Sequence, residues 1–220
     1  MSSTAWRFAL AFLAFSARGG ASGAEEDWTA IQARTEQARE RLRQEAISLF
    51  TVVLNGNLSK LSRCQIANDW SESRIEEDDA KQVFGVEAHA TLGAPDHRTK
   101  PSEVIDPESA FRSVFCRGEE TKAGEKEQFA AFKKAFGQDK SKSLQIAQWS
   151  YSFPVFNKDY TRAELSVVVQ GRNWWDPTVL GGWEGSSNFY VYEKRNGAWE
   201  QVGTGNSGGG AWEGSAEPLE

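Results

Sequence analysis

The chain has 220 residues, with 25 Lys and Arg against 31 Asp and Glu for a formal net charge of −6, and only two cysteines and two histidines. An acidic balance makes nucleic acid and anionic lipid poor partners. His89 and His97 belong to no metal-binding spacing, no phosphate-cradling Gly-Lys-Ser/Thr loop or Gly-x-Ser-x-Gly elbow is present, and so the sequence points to no metal, cofactor or catalytic residue.

Met1 to Ala24 reads as a secretory signal, with Arg7 for positive charge, an apolar run from Phe8 to Phe15 and small residues at Ser22-Gly-Ala24. That run is shorter than the roughly 20 residues a membrane-spanning helix needs, so no span is expected after cleavage. Losing Arg7 and Arg18 with the signal leaves 23 basic against 31 acidic residues, a net of −8. The localisation expected is periplasmic or secreted. In that oxidising setting Cys64 and Cys116 are expected to pair, closing a loop worth roughly 4 kcal/mol in the chain-entropy model. What remains suits a single α+β domain over 25–202, followed by a flexible Gly/Ser-rich tail over 203–220.

In chain order, Trp28, Ile31, Ala38, Leu42, Ala46, Leu49, Phe50 and Val53 recur at helical spacing and predict one long amphipathic helix. Asp27 stands at its N-cap, and Asn55-Gly56 supplies a left-handed stop. Short helices are expected from Leu58 to Arg117, where the acidic run Glu76 to Asp79 lacks the spacing of a calcium loop and Asn57-Leu-Ser59 is a glycosylation sequon. Asp106 to Cys116 reads as a helix that turns Phe111, Val114 and Phe115 inward, and Glu125 to Phe136 as another carrying Phe129, Phe132 and Phe136, ended by Gly137.

After Lys140 the period becomes two. Trp149, Tyr151, Phe153 and Val155 share one face of a strand that Pro154 marks as an edge or a kink. Ala163, Leu165, Val167 and Val169 form the inward face of the next, and Phe189 to Tyr192 lie on a third. Asn196-Gly197 demands a two-residue hairpin into a fourth strand, Ala198 to Val202. The fold class expected is therefore α+β, a long N-terminal helix and short helices packed on one face of a four-stranded antiparallel meander.

The strings Ser152-Phe-Pro-Val-Phe-Asn-Lys-Asp159, Ala163 to Val169 and Phe189 to Glu200 resemble a strand motif of uncharacterised exported bacterial proteins with a cystatin-like or NTF2-like curled sheet. The resemblance covers about residues 144 to 202 and implies a pocket or concave face between helix and sheet.

The candidate ligand-binding residues are Trp174, Trp175, Asp176, Trp183 and Glu184, because indoles beside carboxylates stack on sugar rings or anchor a protein partner. Alternatively the indoles fold back as a lid over the sheet. Trp212 in the tail either packs on the domain or serves as a short linear ligand. The leading expectation is a non-enzymatic exported binding protein with a basic protein partner, of inhibitor or immunity type. Two alternatives stand beside it: a module for peptidoglycan or another cell-wall glycan, and a small-molecule enzyme with an NTF2-like pocket in which a buried carboxylate or His97 acts as acid or base.

Overall fold

The computed structural model describes residues 28–71 and 99–219, with 28–31 and 205–213 described by their backbone alone. The expected signal, the N-cap at Asp27, the acidic run Glu76 to Asp79, both histidines and the Trp212 side chain lie outside what is described. The chain forms two units that meet at residue 36, and the architecture below is that of residues 37 onward.

One helix, α1 (Trp28–Leu54), ends where expected, since Asn55 and Gly56 both take positive φ. A seven-stranded mixed sheet follows, comprising β1 (Ile66–Ala67), β2 (Phe115–Cys116), β3 (Leu144–Tyr151), β4 (Val155–Phe156), β5 (Arg162–Trp174), β6 (Gly181–Arg195) and β7 (Ala198–Ala216). Its order is β2-β1-β3-β5-β6-β7, with β4 also on β5. The β1–β2 and β1–β3 pairings are parallel and the others antiparallel.

The expected four-stranded meander with helices on one face is thus corrected in three respects. First, β1 and β2 join the sheet beside β3. Two residues are too few to carry an alternating pattern; what holds them is the Cys64–Cys116 disulfide and the Cys64 N–H donated to the Ser113 carbonyl at 3.0 Å. Second, β7 does not stop at Val202. The stretch expected as a flexible tail pairs with β6 as far as Ala216, because Gly181 to Ser186 offers a backbone ladder that glycine-rich residues can follow. Two register shifts interrupt this pairing, and the larger sets Ser207 to Gly210 against Ser187 alone.

Third, helices cover both faces. Opposed residues of paired strands share a face, so Tyr151, Val167, Leu165 and Tyr190 lie on one side with Leu42, Ala46, Leu49 and Phe50 of α1 packed against it. Leu144, Ile146 and Trp174 lie on the other side, under Phe129, Phe132 and Phe136 of α3 (Gly118–Gln138). Lys194 of β6 ties to Glu45 of α1 at 2.7 Å.

Local sequence accounts for the remaining differences. Helix α3 begins well before Glu125, because the Glu120 carboxylate accepts the Arg117 N–H at 3.0 Å, and it runs through Gly137. Asp106 ends the short helix α2 (Pro101–Ile105) instead of opening one. Its buried carboxylate accepts the N–H groups of Ala110 and Phe111, which folds 106–111 into a turn. Val114 and Phe115 are buried nonetheless. Pro154 separates β3 from β4, and Ser152 bridges the gap: its N–H donates to the Ser166 carbonyl and its hydroxyl accepts the Ser166 N–H, both at 2.9 Å.

Candidate functional site

The tryptophan-rich segment is a hairpin rather than a long loop, with β5 ending at Trp174, a turn over 175–180 and β6 starting at Gly181. Alternation along a strand then decides the fate of each indole. Trp174 shares the α3 face with Arg172 and is wholly buried, edge-on to Phe129 at a centroid distance of 5.2 Å. Its ring fills the space that a Cβ at Gly181 would need, and its indole N–H has no partner among the described residues. It therefore belongs to the core and is corrected as a contact residue.

Trp175, one residue on, is 67% exposed, and Val179 and Leu180 in the same turn are 53% and 61% exposed. Only two other large apolar residues, Val52 and Val202, are exposed among the described residues, so apolar exposure is concentrated at this tip. Asp176 holds the turn: its carboxylate accepts the Thr178 hydroxyl at 2.7 Å and the Thr178 N–H at 2.8 Å. Those two bonds, the hydroxyl's foremost, lower its pKa below the ordinary carboxylate value. Pro177, next in the turn, is buried.

Trp183 stands opposite Arg172 on the α3 face and opposite Gly214 of β7. A Cβ at Gly214 would collide with its indole, so glycine lets the ring lie across the neighbouring strand. The half-buried Trp183 lines an open groove of about 720 Å³ together with Lys126, Gln170, Arg172, Ser215, Glu217 and Leu219. Arg172 is held there by an ion pair with Glu125 on α3, whose carboxylate is mostly buried. Glu184, by the same alternation, is on the opposite face, near Gly171, and exposed.

The five expected site residues are therefore not one cluster. Trp175 and Asp176 make the tip, Trp183 lines the groove, Glu184 faces away from it and Trp174 is core. Sequence reasoning missed Lys126, Gln170, Arg172, Ser215 and Glu217. The available signal was the glycines at 181 and 182, each of which has a tryptophan ring beside it.

Among the described residues no group of three His, Cys, Asp or Glu side chains is placed to hold a metal ion, and no helix is long and apolar enough to cross a membrane. No protein-family model, curated protein or solved structure matches the chain.

Proposed function

We propose that the chain is an exported binding protein that captures a protein partner with the tip of the β5–β6 hairpin. The observation that carries this reading is the tip itself, three large apolar side chains held in water on a turn whose backbone Asp176 and Pro177 fix. Exposed aromatic and aliphatic groups on a preorganised turn lose little entropy on binding, which is the chemistry of an interface anchor. Export is supported by the leader-like Met1 to Ala24 and by the disulfide. The acidic net charge favours a basic partner, and an inhibitor or immunity protein for a cationic envelope-targeted hydrolase fits that description.

The test is site-specific photo-crosslinking in the native compartment from position 179, with Lys158 as an exposed control position, followed by binding of the purified pair. Replacing Trp175 and Leu180 together by Ala should weaken the purified complex by about a hundredfold, as removal of hot-spot anchors does. Raising the salt should slow association with a basic partner. Unchanged affinity in the double variant would reject the tip as the contact surface.

A further inference from the structure

We propose that Asn57 is an acceptor for an N-linked oligosaccharide, attached as the chain is exported. Attachment presupposes the export proposed above but not the partner at the hairpin tip. Asn57-Leu58-Ser59 is the one place in the chain where an asparagine stands two residues before Ser or Thr, and Leu58 is not the proline that would block transfer.

The fold holds this triplet at the surface. Helix α1 stops at Leu54, and Asn55 and Gly56, at φ 39° and 72°, turn the chain out of it. A single 3-10 turn, Asn57–Lys60, follows and has no buried residue. Within it only Leu58 is half-buried, packed against the α1 core, while Asn57 and Ser59 on either side are exposed. The triplet is thus pinned by its middle residue, with both flanking side chains in water. An oligosaccharide is too bulky and too polar to bury, so it has to be carried on such a surface turn.

Hydrogen bonding leaves the amide ready. Asn57 accepts from the Lys60 ammonium through Oδ1 at 3.4 Å, and its Nδ2 donates to nothing among the described residues. The Ser59 hydroxyl donates to the Gly56 carbonyl, also at 3.4 Å. Both contacts are exposed and longer than an ordinary hydrogen bond, so a transferase displaces them at little cost. The contrast is with Asn68, whose Oδ1 accepts the Ser102 N–H, and Asn157, whose amide closes the turn to Thr161 and Arg162. Those two asparagines are employed by the fold and lack the following Ser or Thr. In the transfer, Nδ2 attacks C1 of the first sugar of an oligosaccharide carried on a lipid pyrophosphate. The C1–N bond forms as the C1–O bond breaks, the pyrophosphate leaves with the electron pair, and the Nδ2 proton passes to solvent.

The test is the intact mass of the chain recovered from the cells that export it. Loss of Met1 to Ala24 reports export. A further increment of one oligosaccharide, removed by peptide:N-glycosidase with position 57 then read as aspartate, reports the modification. Asn57→Gln and Ser59→Ala, made in the same cells, should each lose the increment completely, whereas Ser59→Thr should keep it. Since both positions are exposed, the variants should melt within about 4 °C of the parent once its sugar is removed. If one variant fails to fold, the other reads the site alone. A processed chain at the unmodified mass overturns the acceptor and leaves export standing, a chain that keeps its leader overturns both, and an increment that persists in Asn57→Gln overturns the assignment to Asn57.

Discussion

The two faces of the sheet are built to different ends. The α1 face buries aliphatic residues of the helix against tyrosines and branched side chains of β3, β5 and β6, and the rings of Phe50, Trp70, Tyr151 and Phe153 meet one another in mostly edge-on contacts. The α3 face has a smaller cluster, three phenylalanines over Trp174, and beside it Gln170, Arg172 and Trp183 line a groove with Lys126 of α3, whose Glu125 pairs with Arg172. One face closes on itself and the other leaves an open groove. The groove lies beside that smaller cluster, lined from α3 by Lys126 and from the C-terminal residues by Glu217 and Leu219.

The largest test of that contrast is Phe50→Ala. This ring is 1% exposed between helix and sheet, and its loss should cost about 4 kcal/mol in urea unfolding; a cost below about 1 kcal/mol would mean that the α1 face is not the main core. Alkali probes the same face selectively, because burial, together with the neighbouring Tyr190 and Tyr192, pushes the Tyr151 hydroxyl to about 12. A raised folded-state pKa means stability that is complete below the unfolded value near 10 and is lost as pH rises from there through about 12, by on the order of 2 kcal/mol. Burial pushes Tyr192, in the same core, to about 12 as well, so unfolding free energies measured at about pH 9 and about pH 12 should differ by at least that amount, and Tyr151→Phe should reduce the difference.

Gly214→Ala addresses the other face. The added methyl must push the Trp183 indole off β7, at a cost of about 1 to 2 kcal/mol with a red shift or quench of tryptophan emission. Unaltered emission would mean that the ring does not rest there. The smallest effect belongs to the tip: Trp175→Ala should change stability by less than about 0.5 kcal/mol, since the side chain covers almost nothing. A large loss would move Trp175 from the surface into the packing.

What the sequence made legible follows from how local each signal is. The long helix and its Asn55-Gly56 stop, the Asn196-Gly197 turn, where both residues take positive φ, and the cysteine pair all rest on nearby residues or on a single pairing choice. The burial of Phe129, Phe132 and Phe136 was legible for the same reason. Trp174 and Trp175 were not separable, because adjacency in sequence hides the strand alternation that sends one ring inward and the other out. Strand β7 beyond Val202 was illegible since glycine has no side chain with which to announce a face. Asp106 looked like a helix opener, and only the burial of its carboxylate against Ala110 and Phe111 shows it closing a turn.

The four residues Ser207 to Gly210, set against Ser187 alone, bear on how the chain behaves in company. A glycine-rich border strand without lysine or proline is an open invitation to self-association. Here the register shift interrupts the ladder of β7, the outer strand of the described sheet, so a second molecule adding along it would meet a break at Ser207 to Gly210.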